Sequence, residues 1–280
     1  SQLKAAGGVT LSLHPQAAAH GGGPGPLPGP MLSGAQPIVV TATALSWSQP
    51  PGAASDPAPA GTGARGFNGT AVFTGSVRLL QAPSLLRADR LAVDGAANTL
   101  QADGHVETDF VNSPGSAALA PLTPLKPGRT NGATVQPAVR AVAISAPRLR
   151  YTAAGQQAAY SGGVTLNLGE AVLATPRLLV YLRCTAASGC ASSTSAAGLD
   201  HALADGGVRI TQPGRIATAR SVLYDFAQGQ IRLEGGPPCI FDAEHGKITG
   251  DPLTFSLAND AIQVGSKPGT RAMGSTIAHN

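Results

Sequence analysis

Two short motifs recur in this chain at fixed internal offsets, which limits it to architectures built by repetition. The first is Gly-x-Val followed by alternating residues, as in Gly7-Gly8-Val9, Gly75-Ser76-Val77, Gly104-His105-Val106, Gly162-Gly163-Val164 and Gly206-Gly207-Val208. A small residue and then an apolar one at every second position describes a half-buried β-strand. The second is a small residue, then Leu or Val three positions on, then an aromatic or Val two further. It occurs as Ala42, Leu45, Trp47; Ala88, Leu91, Val93; Ala146, Leu149, Tyr151; Thr175, Leu178, Val180; Ala219, Val222, Tyr224; and Gly250, Leu253, Phe255. A unit of 29 to 31 residues accounts for the spacings between these small residues if three units carry insertions.

The insertions are visible at 48–66, 112–137 and 184–198, stretches rich in small residues, with Pro added in the first two. Such composition marks loops. The five prolines of 112–137 favour an insertion there over a degenerate unit of the same length. What remains of each unit is two strands: 100–110 with 142–151, 160–168 with 172–182, 201–212 with 216–226, and 231–241 with 246–257, closed by 262–264. No unit can bury its apolar face alone, so neighbours must stack. The expected fold is all-β, an elongated, solenoid-like two-sheet β-jellyroll in which one strand of each unit enters each sheet. Six units at about 4.8 Å per strand give a body on the order of 30 Å long. Val77, Val106, Val164 and Val208 form one internal ladder, and Leu91, Leu149, Leu178, Val222 and Leu253 another. Residues 1–36 are expected to hold a partial repeat, the tail of an upstream unit, and a Pro/Gly-rich segment. Residues 37–265 form the jellyroll, and 266–280 a tail.

Composition enters where it excludes alternatives. With 36 Gly and 23 Pro, each costing a helix interior about 1 or about 3 kcal/mol, helical repeats and coiled coils are ruled out. Charged residues are 12% of the chain, about half the usual share, so the solvated faces rely on Ser, Thr, Asn and Gln. The basic residues are mostly arginine, scattered and without stacking aromatics, which argues against nucleic acid as a partner. No apolar run is long enough to cross a bilayer as a helix, and neither a leader nor a membrane anchor is expected within these residues.

The stretch Ala71-Val72-Phe73-Thr74-Gly75-Ser76-Val77-Arg78-Leu79, Leu86-Arg87-Ala88-Asp89-Arg90-Leu91-Ala92-Val93-Asp94 and Asn98-Thr99-Leu100-Gln101-Ala102-Asp103-Gly104-His105-Val106 resembles the OstA-like family of lipopolysaccharide-transport proteins, which includes LptA and the N-terminal domain of LptD. The stretch Asp205-Gly206-Gly207-Val208-Arg209-Ile210 through Tyr224, Leu233-Glu234-Gly235 and Ile248-Thr249-Gly250-Asp251-Pro252-Leu253-Thr254-Phe255 is similar again. The resemblance spans about 37–264 and lies in repetition and order, while the insertions, the cysteine hairpin and residues 1–36 depart from it. It implies a periplasmic, non-enzymatic bridge without cofactor or metal, which shields the lipid A acyl chains of lipopolysaccharide inside a V-shaped jellyroll. It also implies end strands that pair with other jellyroll domains of the transport system or with further copies of the chain. The implied lining comprises Val77, Leu79, Leu91, Val93, Val106, Leu149, Tyr151, Val164, Leu166, Leu178, Val180, Val208, Ile210, Val222, Tyr224, Leu233, Leu253 and Phe255. The same residues serve equally as a dry, filled core, the expectation for a structural or adhesive surface solenoid.

Arg90, Arg148 and Arg177 each sit two residues after the small residue of a unit and should stack as a column. They are either a solvated outer face or contacts to lipid head-group phosphates through the guanidinium fork. Cys184 and Cys190 fit a small disulfide loop in an oxidising compartment or two free thiols, with Cys239 left over. A zinc site with His201 lacks a fourth ligand. The histidines accompany no GxSxG, HExxH or Cys/His signature, and Asp242, Glu244 and His245 are expected to be a solvated turn. A polysaccharide-acting β-helix enzyme would need paired carboxylates, and none are paired in the sequence.

Overall fold

The computed structural model describes residues 2–13, 37–49, 69–81, 84–112, 140–183, 198–257, 261–265 and 273–275. Ten long strands come first: β1 (Gln2–Leu13), β2 (Ile38–Ser48), β3 (Thr70–Gln81), β4 (Ser84–Asp94), β5 (Thr99–Asn112), β6 (Arg140–Thr152), β7 (Gln157–Leu168), β8 (Ala171–Arg183), β9 (Gly198–Gln212) and β10 (Arg215–Asp225). Six short ones follow: β11 (Gln230–Glu234), β12 (Cys239–Asp242), β13 (Gly246–Thr249), β14 (Leu253–Ser256), β15 (Ile262–Val264) and β16 (Met273–Ser275). From β1 to β11 each strand pairs antiparallel with the next in sequence, and the path continues through β14 to β15. Because β5 and β6 pair directly from Thr99↔Thr152 to Asn112↔Arg140, no other strand is interposed between them in the sheet, and the residues connecting them lie outside those described.

Both sequence motifs mark one crease that runs across the middle of every long strand. In β7 the pairs with β8 step from Ser161↔Arg177 to Val164↔Thr175, so β7 carries one extra residue, a β-bulge, at Gly162-Gly163. These two glycines hold φ of +98° and +96°, a region closed to other residues, whereas the second bulge position of β3 and β5 is Ser76 or His105 at 48° and 45°, which a side chain can enter at some cost. Opposite each bulge, the even-numbered strands change inward parity. In β4 both Ala88 and Leu91 are buried, while Asp89 and Arg90 between them are exposed. The three-residue step of the second motif is this parity change.

Each long strand therefore contributes to two walls, one on either side of the crease, which fold back on each other. Leu100 of one wall lines a cavity together with Leu86, Thr108 and Phe110 of the other. Past β10 the walls separate outright. β12, β13 and β16 continue the first, and β11, β14 and β15 continue the second. The result is an elongated two-walled β-jellyroll, all-β as expected. One expectation is corrected: a unit does not send one strand to each sheet, because both of its strands cross both walls. Every long strand thus lengthens both walls, and the thirteen strands of the main path give a body on the order of 60 Å, twice the expected length. Strand β1, expected as the tail of an upstream unit, pairs with β2 over Leu3↔Trp47 to Leu13↔Ile38, and β16 adds to β13.

The core lies between the two walls. Beside the crease on the first wall, valines alternate with small residues in cross-strand pairs: Val77 with Ala88, Val106 with Ala146, Val164 with Thr175, Val208 with Ala219. Small residues belong there because the walls converge at the crease and leave least room.

Candidate functional site

The interior between the walls is the candidate site. Its lining follows the pleat: once the crease is placed, every second residue outward from it points in. On the first wall the second row reads Leu11, Val40, Leu79, Leu86, Thr108, Ile144, Leu166, Leu173, Ile210, Ala217, Ile240 and Ile248 across successive strands. The second wall carries most of the bulk, with Phe73, Tyr151, Tyr160, Tyr224, Phe226 and Phe255 all buried and Trp47 packed against them. Tyr224 and Phe226 meet edge to face at 4.6 Å.

The eighteen residues named as a lining are all buried, none more than 4% exposed, and the two ladders flank the crease on opposite walls. Few as the aromatics are, they leave little of the interior empty. The few there are concentrate on one wall and occupy the space, and the cavity between the walls at β3, β4 and β5 measures only about 20 Å³. Sequence reasoning missed Phe73, Leu100, Thr108, Phe110, Ile144, Tyr160 and Leu173, all buried. Counting by twos outward from each bulge would have found them.

Two hydroxyls in this lining stand apart. The Thr108 Oγ1 and Tyr160 hydroxyls are both buried with no hydrogen-bond partner. Burial pushes the Tyr160 phenol up, and the nearby Thr108 hydroxyl pulls it part of the way back without reaching hydrogen-bond geometry. Thr175, by contrast, donates to or shares with the carbonyls of Arg177 and Asp205, each at 3.1 Å, and braces the crease. The ends of the V are less covered. Leu3 of β1, opposite Trp47, is 55% exposed, and Val264 of β15 is 40% exposed.

Arg90, Arg148 and Arg177 do align, but on the outer side of the crease. The register row there runs Thr74, Arg90, Asp103, Arg148, Ser161, Arg177, Asp205, Ser221. Acids stand beside the guanidiniums, and Arg177 bonds Asp205 at 2.8 Å. Opposite charges side by side across strands stabilise a sheet.

The expected solvated turn at Asp242 is corrected. Its side chain is 8% exposed and accepts two bonds from Arg215, Nε at 3.0 Å and Nη2 at 2.8 Å, while the backbone N–H groups of Glu244 and His245 and the His245 ring bond its other oxygen. Burial disfavours its charge, but Arg215 and the donors of His245 and Glu244 outweigh that and hold the carboxyl well below the usual carboxylate range. His201 stacks on Tyr181 at 4.3 Å and meets Asp200 at 2.8 Å on the outer face. Among the described residues no three His, Cys, Asp or Glu side chains group as metal ligands. Cys184 and Cys190 lie outside the described residues, and Cys239 is half-buried with a free thiol. No helix of the described residues is long and apolar enough to cross a membrane.

No protein-family profile matches the sequence, and no curated protein does. Among solved structures, LptH of Pseudomonas aeruginosa, described as the LptA homologous periplasmic component of the conserved lipopolysaccharide transport device, superposes with a TM-score of 0.40 at 11% identity. The superposition covers 50% of this chain and 95% of that one.

Proposed function

We propose that the protein is a non-enzymatic bridge that shields the acyl chains of lipopolysaccharide on their way across the periplasm. The supporting observation is how the walls are joined. Each wall is hydrogen-bonded along its own length, and among the described residues the strand pairs join the two walls through the crease alone. The walls can therefore part by giving up side-chain contacts without breaking a ladder hydrogen bond. An acyl chain entering the opened V recovers about 0.8 kcal/mol per CH₂ transferred from water, which offsets the apolar surface exposed on opening. Among the described residues no strand pairs with the outer edges of β1 and β15, and these edges suit another jellyroll or a second copy of the chain.

A second reading, a structural solenoid with a permanently closed core, is favoured by the filled interior. Mass spectrometry of lipids carried by the protein purified from a lipopolysaccharide-containing envelope separates the two. A bridge retains lipopolysaccharide, and photo-crosslinkers at Leu100 and Phe110 capture it while one at the exposed Gln101 does not. Lipid-free protein with equal, background capture at all three positions sinks the bridge.

A further inference from the structure

We propose that Thr108 and Tyr160 form a polar subsite within the apolar interior that takes an acyl chain bearing a hydroxyl or carbonyl oxygen part-way along its length. This rests on the lipid-shielding function proposed above and adds a chemical preference to it.

Thr108 is the one polar residue in the second row of the first wall, where every other position from Leu11 to Ile248 is aliphatic. Valine has nearly its shape and would pack there without a hydroxyl to satisfy. Tyr160 stands likewise in a row of the other wall between Leu149 and Leu178. The two other tyrosines buried in that wall, Tyr151 and Tyr224, have polar or ring partners. Both Thr108 and Tyr160 are 1% exposed, and leaving such a hydroxyl unpaired costs on the order of 1–3 kcal/mol. The cavity lies against Thr108, with Leu79, Leu86, Leu100 and Phe110 as its apolar lining and Gln81 at the strand end. At about 20 Å³ it holds no more than one water-sized group, so a chain enters only as the walls part. A purely hydrocarbon occupant would leave both hydroxyls unsatisfied. One with an oxygen in the chain satisfies them in a surrounding where a hydrogen bond discriminates strongly.

The test is calorimetric titration of the full chain with dodecanoate and with 3-hydroxydodecanoate, in the wild type and in Thr108→Val, Tyr160→Phe and the double variant. The expected result is that the wild type favours the hydroxylated probe by about tenfold, roughly one net hydrogen bond. The double variant should lose that preference while binding dodecanoate unchanged. Melting temperatures should hold or rise, since neither hydroxyl has a partner to lose. Equal affinities in the wild type, or a preference that survives in the double variant, overturn the subsite and leave the bridge standing. Failure of both probes to bind the wild type overturns the two together. A lower melting temperature for Thr108→Val would mean the hydroxyl is already engaged, which also overturns the subsite.

Discussion

Arg215 and Asp242 form a two-toothed ion pair at the strand ends of β10 and β12, with side chains 13% and 8% exposed. Breaking such a pair by removing one partner strands a buried charge, so Arg215→Met should lower unfolding free energy by about 3–5 kcal/mol in urea titrations. The pair also sets an acid limit. Because the folded carboxyl of Asp242 titrates below its unfolded value, its contribution is fully present above about pH 4 and is lost as pH falls below that. Melting temperature should therefore hold from neutral pH to about pH 5 and drop below about pH 4, and Asp242→Asn should flatten part of that drop. Nothing in Asp242-Ala243-Glu244-His245 announces this, since the cation that buries Asp242 arrives from 27 residues upstream. The two unpartnered hydroxyls were equally hidden: a threonine in a strand is unremarkable until its neighbours across the sheet are known.

At the scale of elements, the crease decides how strands behave. Gly163 holds a φ of +96° with open space around it, so Gly163→Ala should cost about 1–2 kcal/mol of backbone strain alone. Gly75 adds a collision, because a Cβ there would lie 2.5 Å from Thr43 Oγ1, which donates to the Gly75 carbonyl. Gly75→Ala should therefore be the more destabilising of the two, and chemical denaturation of both variants checks the order. The recurrence of glycine before valine was legible because only glycine tolerates such a backbone in pairs, and so was the three-residue step opposite it. That both signals belong to one fold line was not. Each is local to its strand, and the crease exists only once bulge and parity change lie side by side in register.

For the whole molecule, the two end strands, which pair on one side only among the described residues, predict association. If end strands pair, sedimentation should give species of increasing mass as concentration rises, and Thr10→Pro in the exposed edge strand β1 should suppress them, since proline removes an edge donor. A mass independent of concentration in the wild type would dismiss pairing between copies. The sequence by itself determined the all-β class, the repeat and the burial of the eighteen ladder residues, because each follows from local alternation and from glycine's backbone freedom. Only the tertiary structure decided that every long strand crosses both walls, that most of the buried aromatics gather on one of them, that the arginine column faces outward among acids, and that Asp242 is buried. The reason is the same in each case. Alternation assigns a residue to a face of its own strand, but what that face meets depends on register between strands and on the angle at which the walls close.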